Sequence, residues 1–458
     1  LSWKKGLFLQ LLRIRWVLVK RTGYFMSISQ AEFARRRQQL LADLPGEGAV
    51  ILASAPPLAE YSNQQFSQDT HFYYLTGWPE PEALLLLLPG QPSDPILFCR
   101  DHDALAEQWQ GKRIGLAGAL GDYGVAQAID IHELDSKIPE LLAGIETIYY
   151  PRGHNSPLDR QLLNWLQALK AKRLQPPANL VDIKPYIEHL RRYKTPNEQA
   201  MLRQAARISS GAHRRLMQAC QPGLYEYQLA AELHHEFLYQ GSPGLAYPPI
   251  IAGGDNGCIL HYCTNRCQLQ EGDLVLVDAG CQWQGYCADI TRTFPVNGVF
   301  NQQQQALYEV VLAAQLAAIN AVQPGQPFNQ PHLEAIKVLV QGLVDLGLLQ
   351  GEPEALIEQE AYKRFFMHGT SHWLGLDVHD PGHYKKDGQW LTLEPGMVLT
   401  VEPGLYVAPD CQQVAEKWRG MGIRIEDDIL VTPTGYEVLS HEAPKSVTEI
   451  QQLMAKTC

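Results

Sequence analysis

The chain has no apolar stretch long enough to cross a membrane, no excess of basic residues, no CxxC pair and no glycine-rich phosphate loop. Each absence removes a class of function. Without about 20 consecutive apolar residues there is no spanning helix, and a net charge of −11 argues against a nucleic-acid-binding surface. No run of like charge forms an interaction tail. The nine cysteines are odd in number and scattered, a pattern of reduced cytoplasmic thiols and not of a disulfide framework. Cys263, Cys267, Cys281 and Cys287 are too loosely spaced for a structural zinc site, so core packing is expected for them. No serine stands in a nucleophile elbow. What remains is a globular protein whose partners are small molecules or peptides.

At 458 residues and 45% apolar content the chain is long enough for two domains with ample cores. Residues 1–25 stand apart, because Lys4, Lys5, Arg13, Arg15, Lys20 and Arg21 occur there without an acid. Gln10, Arg13 and Arg15 break the apolar runs that a signal peptide needs. This segment is expected to be an upstream extension, disordered or absent in the native protein, with Met26 as the natural start. Ser29, with Glu32 three residues on, then reads as a helix cap. From Gly48 to about Leu180 the apolar runs AVILASA, ALLLLL, PILFCRD, RIGLAG and ETIYYPRG alternate with helical stretches such as 103–109 and 156–169. That alternation predicts an α/β N-terminal domain over 26–180. His71, His102, His132 and His154 are spread along it as surface or satisfied core histidines. A linker is expected over 181–195. Thr195, Pro196 and Glu198 supply the cap, first-turn proline and capping-box acid of a long helix, which opens an α+β domain over 196–458. Helices are expected there at about 196–220, 225–239, 302–322 and 331–348, around a strand-rich centre.

The stretch LVLVDAGCQWQGYCADITRTF, residues 274–294, organises that second domain. It reads as a β-hairpin, and a turn centred between Trp283 and Gln284 would make Asp278 and Asp289 direct cross-strand neighbours. Like charges so placed weaken a sheet unless a cation lies between them. Two solvated acids on an exposed hairpin are the alternative, and the hairpin alone does not decide.

Four more clusters share the domain. His261 sits in the apolar segment CILHY, and His368, His372, His379 and His383 fall within HGTSHWLGLDVHDPGH. Glu402 ends the run MVLTV. Arg424 and Glu426 are expected on one face of the strand GIRIEDDILV. His368 and His372 do not form a zinc HExxH motif, since Gly369 replaces the glutamate and Gly and Ser disfavour a helix. Asp278, Asp289, Glu402 and Glu426 supply four carboxylates, and one histidine completes a set suited to two divalent cations. Mostly oxygen donors favour a hard ion such as Mn²⁺.

HGTSHWLGLDVHD, LTVEPGLY, GIRIEDDILVT, LVDAG followed by ADITRTFP, and GCILHY together resemble the motifs of Xaa-Pro aminopeptidase (aminopeptidase P). This is the pita-bread metallopeptidase family that also holds prolidase and methionine aminopeptidase, and the likeness runs from about Met26 to the C-terminus. It implies a pita-bread, creatinase/methionine aminopeptidase-like fold for the catalytic domain. It also implies a site in which Asp278 chelates one metal, Asp289 and Glu426 bridge both, and His372 and Glu402 complete the other. By the same resemblance Glu402 moves the proton of the attacking water, and His261 and His379 hydrogen-bond substrate and intermediate. His368 lines the proline pocket, Arg424 orients the acids, and Tyr247 and Tyr406 are supporting donors near the substrate. Thr370 departs from the pattern, standing where an apolar residue is expected, and residues 1–25 have no counterpart.

The activity implied is removal of the first residue from peptides with proline in second position, by a cytoplasmic homodimer or homotetramer. Prolidase, which requires a dipeptide, is the runner-up. A metal-free peptide-binding relative is the reading from another class, and the complete ligand set speaks against it.

Overall fold

A computed structural model describes residues 28–59, 66–90 and 95–455. The extension expected over residues 1–25, and Met26 with it, lies outside them. Ser29 caps the first described helix, Gln30–Asp43, by accepting the Glu32 amide.

Alternation along the N-terminal strands fixes how that half is layered. Strands β1 (Ala49–Ala53), β2 (Leu84–Leu87), β3 (Ile96–Cys99), β4 (Gln127–Asp130), β5 (Thr147–Tyr150) and β6 (Asn179–Asp182) form one mixed sheet in the order β4-β3-β2-β1-β5-β6. Ile51, Leu84, Leu86 and Phe98 face the helices Leu134–Leu141 and Ser156–Ala171. Val50, Leu52, Leu85 and Leu87 face the other way, into a core that continues without interruption into the catalytic half. Both faces are covered, which is why the central strands read as continuous apolar runs.

One expectation for this half is corrected. RIGLAG is no strand: the helix Gly115–Asp122 begins there, held at its start by Glu80 and Asp101 carboxylates that accept the Ile114 and Leu116 amides. The expected linker carries the end of β6 and a helix, Lys184–Arg192.

Beyond it, Thr195 and Glu198 close a full capping box on the helix Pro196–Ala219, which packs on Glu226–Tyr239. A second helix pair, Gln302–Asn320 and Gln330–Asp345, covers the other side. Between the pairs lie short antiparallel sheets. Strands β7 (Ile250–Gly253), β8 (Leu274–Asp278), β9 (Gln282–Trp283), β10 (Tyr286–Cys287) and β11 (Thr291–Pro295) give the order β11-β8-β7 and a β9-β10 hairpin tip. After a small hairpin of β12 (Lys385–Lys386) and β13 (Gln389–Trp390) come β14 (Val398–Val401), β15 (Gly404–Val407), β16 (Met421–Arg424), β17 (Asp427–Thr432) and β18 (Gly435–Val438). These pair as β14-β17-β18 and β15-β16. Arg36, buried in the first helix, reaches from the N-terminal half to the Tyr286 hydroxyl at 3.2 Å and the Glu198 carboxylate at 3.5 Å. Among the described residues no helix is long and apolar enough to cross a membrane.

The hairpin register differs from expectation. Trp283 pairs with Tyr286 and Gln282 with Cys287, so the turn is Gln284-Gly285, where both residues have positive φ as a type I′ turn demands. Asp278 therefore pairs with Thr291, and the two acids are diagonal neighbours and not directly opposed. GIRIEDDILV is likewise not one strand. It breaks at Ile425-Glu426 into β16 and β17, which belong to different sheets. The eight cysteines among the described residues are free; Cys281 and Cys287 are core residues, but Cys263 and Cys267 are exposed.

Candidate metal centre

The sheets converge on a cavity of about 300 Å³ lined by His261, Asp278, Asp289, His368, His372, His379, Glu402, Arg424 and Glu426. Asp278 stands at the end of β8, Asp289 in the bend before β11, Glu402 between β14 and β15, and Glu426 at the break between β16 and β17. Interruptions of regular structure deliver the carboxylates to a common point. The segment 365–384 holding the histidines is irregular, as its glycines and serine suggest.

Hydrogen bonds fix each donor. The Tyr247 hydroxyl lies 2.6 Å from Asp278 Oδ1 and 2.5 Å from Asp289 Oδ1, so one phenol spans both acids. Arg424 donates to Asp278 Oδ2 at 2.6 Å, to the Tyr406 hydroxyl at 2.9 Å and, through Nε, to Thr291 Oγ1 at 3.2 Å. Thr291 in turn donates to Glu426 Oε2 at 2.6 Å. His372 presents Nε2 at 3.4 Å from Asp289 and 3.5 Å from Glu402, while its Nδ1 donates to the Trp373 carbonyl. That bond turns Nε2 toward the acids, where it can serve as the ligand nitrogen once its proton is given up. Ligand atoms of Asp289, His372 and Glu426 all lie within 4.8 Å of one another. His261 and His379 stand exposed on the cavity wall, His379 edge-on to the His372 ring at 4.3 Å. His368 donates from Nδ1 to its neighbour's carbonyl and accepts the Tyr406 hydroxyl at Nε2.

Electrostatics make the same cluster unstable on its own. Burial, with the charges of Asp289, Glu402 and Asp278, pushes the Glu426 carboxyl far above its ordinary range. Glu402 is pushed up to about 7, by burial first and then by Asp289 and Asp278. Burial resists protonation of His372, yet its bond to Asp289 and the Glu402 charge raise it to about 9. His368 is held down at about 4 by burial and by Arg424. Three buried carboxylates and the half-buried Glu402 face one guanidinium and the His372 imidazole, so acids outnumber basic groups in the pocket. Hard oxygen donors with one correctly presented imidazole fit divalent cations.

Sequence reasoning did not single out two contributors. Thr291 is fully buried and joins Arg424 to Glu426. Asp428 accepts the Asp289 amide from behind, and burial pushes its own carboxyl far up, with Asp289 adding to the effect. Thr291 carries no signal in sequence, and the doubled acid of IEDD is only a faint one. The Thr370 hydroxyl, the departure from pattern, lies 2.7 Å from His332 Nδ1, and its carbonyl accepts the Glu402 amide.

Buried carboxylates and an imidazole gathered between paired sheets define a metal-dependent hydrolase of the pita-bread class. The profile of metallopeptidase family M24 matches residues 200–433, and that of the aminopeptidase P N-terminal domain matches 33–149. The chain belongs to metallopeptidase family M24. It is 44% identical over 435 residues to the Xaa-Pro aminopeptidase of Escherichia coli, covering 93% of this chain and 98% of that one. The aminopeptidase PepP of Pseudomonas aeruginosa superposes with TM-score 0.93 at 46% identity, over 94% of this chain and 99% of that one. Zinc-substituted aminopeptidase P of E. coli in complex with product gives TM-score 0.91 at 42% identity, with the same coverage.

Proposed function

We propose that Asp278, Asp289, His372, Glu402 and Glu426 hold two divalent cations, Mn²⁺ foremost, at the centre of an aminopeptidase site. The reaction is metal-dependent hydrolysis of the peptide bond between an N-terminal residue and a proline in second position. The observation that carries the ligand assignment is the convergence of all five donors on one cavity. When bound, such cations supply Lewis acidity and an activated water at neutral pH.

The chain's own residues account for the rest. An Xaa-Pro bond is a tertiary amide whose nitrogen must be protonated to leave. Glu402, on the cavity wall between β14 and β15, is suited to take a proton and return it to that nitrogen. His261 and His379, exposed on the wall, supply hydrogen bonds toward substrate and developing charge. His368 has both nitrogens engaged, so it offers the proline ring an uncharged surface. Arg424 and Tyr247 hold the acids in place, and Tyr406 passes the Arg424 contact on to His368.

Oxygen-rich donors favour Mn²⁺ over softer metals. The free thiols of the described residues and the net charge of −11 suit a cytoplasmic protein with peptide partners, and a homodimer or homotetramer is our expectation. Hydrolysis of Gly-Pro and of a longer Xaa-Pro-Xaa peptide, with Mn²⁺ or Zn²⁺ added to chelated protein, tests the reading. Release of the first residue from the longer peptide, best with Mn²⁺, is expected; cleavage of the dipeptide alone would make the activity that of a prolidase.

A further inference from the structure

The segment that carries His372 and His379 is held from outside the catalytic sheets. Asp380 follows His379 directly and is fully buried with its partners. One of its oxygens accepts Arg191 Nη2 at 2.6 Å, and the other accepts Lys194 Nζ at 3.1 Å. Arg191 also donates to Asp377 at 2.7 Å and to Thr70 of the N-terminal half at 2.9 Å. Thr70 itself donates to Asp377 at 2.7 Å. Arg191 lies on the Lys184–Arg192 helix, and Lys194 two residues beyond it. Both fall between the two stretches matched by family profiles.

Asp380 passes this anchorage inward. Its amide donates to the Trp373 carbonyl at 2.9 Å, the same oxygen that accepts His372 Nδ1 at 3.0 Å. Its carboxylate fills the space beside Gly375, where a Cβ would lie 2.5 Å from it. The loop from Trp373 to Asp380 is thus closed on itself with His379 at one end and the orienting carbonyl of His372 at the other.

We infer that Arg191 and Lys194, acting through Asp380, are positioning residues for His379 and His372. The junction between the domains thereby sets the geometry of the catalytic loop. A buried ion pair of this kind is expensive to desolvate and adds little net stability over apolar packing, so stability alone is a weak reason for it.

The inference rests on the role proposed above for His379, and a double-mutant cycle separates the two. Arg191→Gln, His379→Ala and the double variant would be compared in kcat and KM on an Xaa-Pro-Xaa peptide, with circular dichroism to establish folding. Each single change is expected to lower kcat with little change in KM. The double variant is expected to lose at least about 10-fold less than the product of the single losses. If the losses multiply, or if folded Arg191→Gln keeps the wild-type kcat, the site reading stands and the positioning role falls. If His379→Ala runs at the wild-type rate, both fall. Should Arg191→Gln not fold, Arg191→Lys, which keeps the charge and loses the fork, is taken through the same cycle.

Discussion

Thr291 is a single hydroxyl between opposite charges, donating to Glu426 and accepting from Arg424. Thr291→Val keeps the shape and leaves both partners short of a bond. Groups that orient metal ligands typically contribute 10- to 100-fold in affinity, so a metal dissociation constant raised by about 10-fold or more is expected in a chelator competition. An unchanged constant would remove Thr291 from the site. His213 makes a different residue-scale test. It is fully buried, shares a hydrogen bond with the Ala279 carbonyl at 2.9 Å, and is held by burial at about 4. An unfolded histidine titrates near 6.5. The unfolded chain therefore takes this proton first as pH falls. The stabilisation is complete above about 6.5, is lost between about 6.5 and 4, and changes no further below that. The loss is on the order of 3 kcal/mol. Urea unfolding of wild type and His213→Gln at pH 7, 5.5 and 4.5 should show a shallower decline in the variant; parallel curves would contradict this.

At the scale of elements, the hairpin that carries Asp278 and Asp289 depends on two glycines. Gly285 occupies a left-handed turn position with φ +85°. A Cβ on Gly280 would overlap the Ala288 carbonyl oxygen, which lies next to Asp289. Gly280→Ala cannot be absorbed by moving a flexible side chain. It should destabilise the protein by about 3 kcal/mol and cost most of the activity, read by urea midpoint and peptide hydrolysis; a wild-type midpoint would argue against this hairpin geometry. The acids and histidines of the site stood out in sequence as clusters that together suit metal ions, and their individual roles came only from the resemblance to Xaa-Pro aminopeptidase; the structure gathers them on one cavity. Their register was less legible. Gly285 in second turn position was the available signal for a Gln284-Gly285 turn, and centring the turn earlier misaligned the acids. The break in GIRIEDDILV was hidden, because the Ile425 and Glu426 amides turn aside to the Pro403 and Thr291 carbonyls, partners distant in sequence. RIGLAG became a helix through caps from Glu80 and Asp101, which local propensity does not reveal.

Across the whole molecule, the capped helices and the general α/β then α+β plan followed from periodicity and cap residues. What the sequence hid was the traffic between the halves. Arg36, Arg191 and Lys194 look like surface cations of helices, yet all three are buried, with acceptors distant in sequence that only the fold brings to them. On the proposed function, this fold holds two cations among its carboxylates. Removing the metal should leave those carboxylates repelling one another, so chelated protein should melt at lower temperature. At free Mn²⁺ of about 100 times the dissociation constant, roughly 2.7 kcal/mol of stability should return for each cation bound. A melting temperature indifferent to chelation would count against a metal bound in the native state.

The most direct test is a Mn²⁺ titration of activity on an Xaa-Pro-Xaa peptide, run on chelated wild type and on Asp289→Asn. No rate is expected without metal, full rate near about two equivalents, and Asp289→Asn slower by roughly 10³-fold or more. A full rate without added metal, or Asp289→Asn as active as wild type, would contradict it.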